Sequence, residues 1–255
     1  MTAAKQGKIT KTIEEARCRF LSWRYNLNGY KRIYHVHIRK TGGTSLNYMF
    51  HALIRSEPSG PIFAQLHQIP HHRIIREGLV FVGWNAKLSN RGHYFYSFSH
   101  VPLHQLTLPP RTFTVTCFRD PVKRLVSHYN MLMDYKIHSV PHPCMVEEGP
   151  WLGASFRDFL QRIPREHLQN QLYMFSPSFK VAEAVERVRG LSHVMFTESF
   201  AAGIQELNRK TGLQLQPVHT HKASHKSELS TEDLALLREK LADEYEFLEK
   251  VKSLA

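Results

Sequence analysis

Hydrophobic positions along the chain fall into short β-branched or aromatic runs that alternate with stretches of helical period. Residues 33–38 form the first such run, with His35 and His37 interleaved, and read as a strand. Leu46, Met49, Phe50 and Leu53 follow at helical spacing. Residues 79–83, 94–98, 113–118 and 191–196 are the further strand candidates. Helical patterns cover residues 13–23, the stretch after Asp120-Pro121, and residues 155–162, 165–175, 181–189, 199–210 and 230–252. Asp120 has the chemistry of an N-cap and Pro121 that of a first helical residue. His71-His72-Arg73 reads as the opening of a short helix, while residues 56–70 and 139–153 lack periodicity and read as loops.

Strands alternating with helices argue for an α/β fold, a central parallel sheet with crossover helices on its faces. At 255 residues one domain is expected: an N-terminal extension or helix over 1–30 and a core over 31–255. Asn28-Gly29 marks the turn between them.

Charge changes this picture. The net charge is +12, and it is unevenly spread. Residues 1–143 carry 20 Lys and Arg against 6 Asp and Glu, whereas the remainder carries 14 against 16. Such a field favours an anionic ligand, whether nucleotide, acidic glycan, nucleic acid or membrane surface. Three scattered cysteines, Cys18, Cys117 and Cys144, form neither a disulfide framework nor a zinc pattern. No apolar run reaches the roughly 20 residues of a membrane span and no signal-peptide core is evident, so with Met1 as the start a cytoplasmic location is expected.

The candidate chemistry begins where the first strand ends. Lys40, Thr41, Gly42, Gly43, Thr44 and Ser45 join that strand to the next helix. Glycines let a backbone approach an anion closely, and a helix N-terminus offers unpaired N–H groups and a positive dipole end. Lys40 adds a full charge, and Thr44 and Ser45 add hydroxyl donors. The lysine precedes the glycines, so this is not a Walker A loop. His35 and His37 share a strand face and invite a metal reading, but no third ligand of suitable spacing is evident and no metal is expected.

Residues 37–45, His-Ile-Arg-Lys-Thr-Gly-Gly-Thr-Ser, resemble the H-I-P-K-T-G-G-T-S signature of carbohydrate-type sulfotransferases, a family that includes heparan sulfate 2-O-sulfotransferase. Arg39 stands at the family's proline position. Residues 119–129 resemble its R-D-P-V-x-R-x-x-S-x-Y motif. Looser echoes are Ser99-His100, Asn170-Gln171-Leu172, residues 196–200 and the basic segment 221–226 containing Lys222. The resemblance implies a P-loop-like three-layer fold. It implies 3′-phosphoadenosine-5′-phosphosulfate (PAPS) as co-substrate and a hydroxyl acceptor, carbohydrate in character. The loop 40–45 would hold the 5′-phosphosulfate, Arg119 and Ser127 the 3′-phosphate, and Lys222 would fold over the nucleotide. Lys40 would neutralise the departing charge and His100 would take the acceptor proton. Two other readings stay open on the residues alone. One is an ATP-dependent small-molecule kinase, the other a non-catalytic polyanion-binding module.

Overall fold

The structure is a computed structural model and describes residues 3–68, 72–218, 225, 227 and 229–254. Six strands make one sheet: β1 (Arg32–Val36), β2 (Arg73–Arg76), β3 (Leu79–Gly83), β4 (Tyr96–Ser99), β5 (Thr112–Phe118) and β6 (His193–Phe196). Their spatial order is β2-β3-β4-β1-β5-β6. Every neighbouring pair is parallel except β2 with β3. β1 lies at the centre, with Ile33 opposite both Tyr96 and Phe113. A strand buried on both faces needs apolar residues in succession rather than alternation, which is why Ile33, Tyr34 and Val36 are all fully buried.

Thirteen helices are described: α1 (Ala3–Arg24), α2 (Gly43–His51), α3 (Ser59–Gln68), α4 (Ala86–Arg91), α5 (Pro121–Ile137), α6 (Cys144–Glu148), α7 (Phe156–Arg162), α8 (Arg165–Leu168), α9 (Asn170–Tyr173), α10 (Val181–Arg189), α11 (Phe200–Thr211), α12 (Thr231–Lys240) and α13 (Ala242–Lys252). On one face of the sheet, α2 and α11 pack Leu46, Phe50, Ile204 and Leu207 against Ile33, Tyr96 and Phe113. On the other, α10 and α13 pack Val188, Phe247 and Val251 against Tyr34, Val36 and Phe118. Alternate residues of β1 serve opposite faces, and the result is the three-layer α/β arrangement. A third cluster joins α5, α7 and α12 through Leu125, Phe159 and Leu237. None of the described helices is long and apolar enough to cross a membrane.

Local expectations fail in five places. Segment 56–70 contains α3 rather than a loop. Its Pro61 falls in the first turn, where the missing N–H would have had no partner. Arg73 opens β2, not a helix, because Glu77 and Gly78 both take positive φ and fold the chain into a hairpin with β3. Segment 139–153 carries α6 and a 3-10 turn at Gly149–Trp151. Two of the helical patterns are broken, 165–175 at Gln169 and 230–252 at Leu241.

Candidate functional site

The loop after β1 is built for close approach. Lys40 and Gly42 both adopt left-handed backbone, with φ of 66° and 85°. Gly42 is the N-cap of α2 and supplies no side-chain cap. A Cβ on Gly43 would stand 2.0 Å from the His37 ring, so only glycine fits there. The Thr41 hydroxyl donates to the Ile38 carbonyl at 3.0 Å and the residue is buried, which closes the turn from below.

β5 ends at a different kind of junction. Asp120 caps α5 by accepting the Lys123 N–H at 2.8 Å, and Pro121 is the first helical residue. Arg119 reaches back across the sheet: its Nη1 donates to the Lys40 carbonyl at 3.1 Å. The two junctions therefore touch.

Together they wall a cleft of about 970 Å³. Lys40, Gly42, Gly43, Thr44, Ser45, Arg119 and Ser127 all line it. Lys123 adds a further cation, while Val122, Val126 and Phe200 give part of the wall an apolar character. Among the described residues lining the cleft there is no carboxylate. Burial, with Arg119 and Arg39 close by, lowers the Lys40 ammonium to about 8. It is charged at neutral pH but carries a cost that an anion in the cleft would relieve. Part of the wall comes from the C-terminal side, where His225 and Ser227 donate backbone N–H groups to Asp134 (2.8 Å) and Asn130 (3.2 Å) of α5. Lys222 lies outside the described residues.

His100 directly follows β4 and is half-buried, but it is not on the wall of this cleft. Its Nδ1 donates to the His37 carbonyl at 2.7 Å. A carbonyl only accepts, so the proton sits on Nδ1 and Nε2 is left with its lone pair. Burial, reinforced by Arg39, pulls this imidazole down to about 4, so it is neutral at physiological pH. His37 stands between: it lines the cleft, and its ring lies 4.4 Å from that of His100 and 4.8 Å from that of His35. His35 itself is held by Asn47 (3.0 Å) and the Tyr96 hydroxyl (2.9 Å). No group of three or more His, Cys, Asp or Glu able to hold a metal occurs among the described residues.

Several supporting groups escape a reading of the sequence for chemistry. Gln171 brackets Arg119 from both sides, accepting its N–H and donating to its carbonyl, each at 2.9 Å. Asn170 accepts the Arg39 N–H at 3.4 Å, so the Asn-Gln pair steadies both junctions at once. The Arg39 side chain pairs with Glu148 at the end of α6, and Glu148 also accepts the His128 Nε2–H at 2.7 Å. Burial opposes ionisation of Glu148, yet the bond from His128 and the charge of Arg39 hold its carboxyl near 2. The fully buried Arg124 lies 3.6 Å from the equally buried Glu244 of α13 and donates to the His167 carbonyl at 3.0 Å. These contacts join segments far apart in sequence, and only the pairing of Asn170 with Gln171 left a local signal.

Residues 23–250 match the family described as "Sulfotransferase family". No curated protein matches the chain.

Proposed function

Because the chain belongs to the sulfotransferase family, we propose that this cleft binds PAPS and that its sulfuryl group passes to a hydroxyl acceptor, carbohydrate in character. The observation that carries the reading is the meeting of two anion sites in one cleft. Lys40, residues 42–45 and the pair Arg119 and Ser127 share its wall, Arg119 is bonded to the Lys40 carbonyl, and no carboxylate intrudes among the lining residues described. A nucleotide with phosphates on both its 5′ and 3′ positions needs two such sites; ATP needs one, together with carboxylates for Mg²⁺. The reading treats 31–255 as one catalytic unit.

In this account the α2 N-terminus, Thr44 and Ser45 hold the 5′-phosphate, and Arg119 and Ser127 hold the 3′-phosphate. Lys222 is assigned the covering role from its place in the basic segment. PAPS supplies an activated sulfuryl group. The acceptor oxygen forms a bond to sulfur as the bond from sulfur to the 5′-phosphate oxygen breaks, and the electron pair stays on that oxygen. Lys40 neutralises the charge that develops there. The acceptor proton goes to Nε2 of His100, the nitrogen its bond to His37 leaves free. Burial and the charge of Arg39 keep His100 unprotonated at neutral pH, so its Nε2 lone pair is available.

Thermal stabilisation separates this reading from its rivals. Adenosine 3′,5′-bisphosphate should raise the melting temperature more than ATP with Mg²⁺ or heparin does. A larger shift with ATP and Mg²⁺ would favour a kinase, and one with heparin alone a polyanion-binding module.

A further inference from the structure

The helix α1 lies largely before the matched residues 23–250, so the family's reaction leaves it unexplained. Its outward face is unusual. Ile13, Phe20 and Trp23 are 64%, 58% and 74% exposed. Arg17, Arg19 and Arg24 are exposed beside them. Ile13, Arg17, Phe20 and Arg24 recur at i, i+4, i+7 and i+11, which places them on one stripe. The helix's acids turn the other way: Glu14 and Glu15 pair with Arg73, and Glu15 also with Arg91 and His93. Cys18 and Ser22 are buried on that inner side. Charge is thus sorted by face, with carboxylates inward and cations among large apolar side chains outward. Next to the stripe a cavity of about 490 Å³ is lined by Phe20, Trp23, Arg19, Lys31, Arg32 and His93.

We propose that this face of α1 docks on an anionic bilayer surface, with Ile13, Phe20 and Trp23 entering the interfacial zone and the cations meeting lipid phosphates. In that zone the apolar side chains enter the interface while the arginines beside them keep their charged heads at the lipid phosphates. The cavity joins the same two chemistries, cationic groups and two aromatic rings, and suits a phosphate headgroup with the start of its acyl chains. A second copy of the chain fits less well. A two-fold contact would bring Arg17, Arg19 and Arg24 against their own counterparts with no outward carboxylate on α1 to answer them. A soluble polyanion would use the charges but leave the aromatic rings in water.

Co-sedimentation with vesicles tests this. The full chain should bind vesicles of phosphatidylcholine with about one third phosphatidylglycerol at least tenfold more strongly than pure phosphatidylcholine, since each surface cation contributes roughly fivefold. The Phe20→Ala/Trp23→Ala and Arg17→Glu/Arg19→Glu variants should each lower that binding about tenfold or more. Circular dichroism and melting temperature should stay unchanged, because all four side chains are exposed. Equal binding to the two vesicle types, or none, overturns the proposal. So does an aromatic variant that binds as the wild type while the charge variant does not, which is the behaviour of a plain polyanion site. A dimer in solution that the aromatic variant dissociates assigns the face to a second copy instead.

Discussion

The two strand-to-helix junctions of the site solve the same problem in opposite ways. At the end of β1 the helix α2 starts from Gly42, which offers no side-chain cap. At the end of β5 the helix α5 starts from Asp120, whose carboxylate takes the Lys123 N–H, and from Pro121, which has no N–H to give. A helix start without a side-chain cap keeps its first donors for a ligand, whereas at α5 the cap takes the Lys123 N–H and Pro121 has none to offer. On the proposed reading the first junction binds its phosphate through the backbone and the second chiefly through the side chains of Arg119 and Ser127. Tolerance follows from the difference. A backbone site depends on the shape of the loop, and a side-chain site on single groups that can be removed without disturbing the fold.

The largest effect should come from outside both junctions and so leave the comparison intact. His100→Ala should reduce turnover by about 10²–10⁴, the usual contribution of a general base, with adenosine 3′,5′-bisphosphate affinity unchanged. Full activity would move the role to His37, which stands on the cleft wall.

Gly43→Ala strikes the shape of the first junction. The new methyl meets His37, whose ring is confined between His35 and His100. Overpacking of this kind costs about 3 kcal/mol. Melting should fall by about 6 °C or more, with bisphosphate binding weakened on the order of a hundredfold. A variant that binds normally would show that loop shape is not the determinant.

Lys40→Ala should lower kcat by about a hundredfold, the scale of losing a preorganised charge stabiliser, and affinity by less. A KM effect without loss of turnover would make Lys40 a binding group only. Its ammonium, held near 8, is charged below that pH and neutral above it. Bisphosphate binding to the wild type should therefore weaken as pH rises through about 8, and binding near that pH should take up protons. Lys40→Arg should flatten this dependence, because a guanidinium does not titrate there.

The smallest effect belongs to Asp120→Ala. Loss of the cap costs about 1 kcal/mol, a fall of about 3 °C in melting temperature. Nucleotide affinity should barely change, because the capped Lys123 N–H is already taken by Asp120. A large loss of affinity would mean that the second junction also binds through its backbone.

Much of this contrast was legible in the chain itself. Gly42-Gly43 and Asp120-Pro121 are local signals whose chemistry does not depend on distant residues. Five of the six strands were equally legible, because apolar runs buried on both faces are continuous in sequence. What stayed hidden depends on tertiary contact. Arg73–Arg76 is too short and too charged to read as a strand, and its arginines find partners in Glu14, Glu15 and Glu57. α6 is anchored through Glu148, which bridges Arg39 and His128 from two other elements. His37 carried no assigned role in the sequence; the fold sets it on the cleft wall with its ring 4.4 Å from that of His100. Thr41 was read only as part of the cofactor loop; that its hydroxyl bonds the Ile38 carbonyl beneath the turn left no local signal.

The claim that the second junction reads a 3′-phosphate through side chains is tested most directly by calorimetric titration of the wild type and Arg119→Ala with adenosine 3′,5′-bisphosphate and with AMP. A hydrogen bond to a charged group is worth about 1.5–3 kcal/mol. The wild type should prefer the bisphosphate by roughly tenfold or more, and Arg119→Ala should lose most of that preference while its affinity for AMP changes little. Equal affinity of the wild type for the two nucleotides would contradict the account.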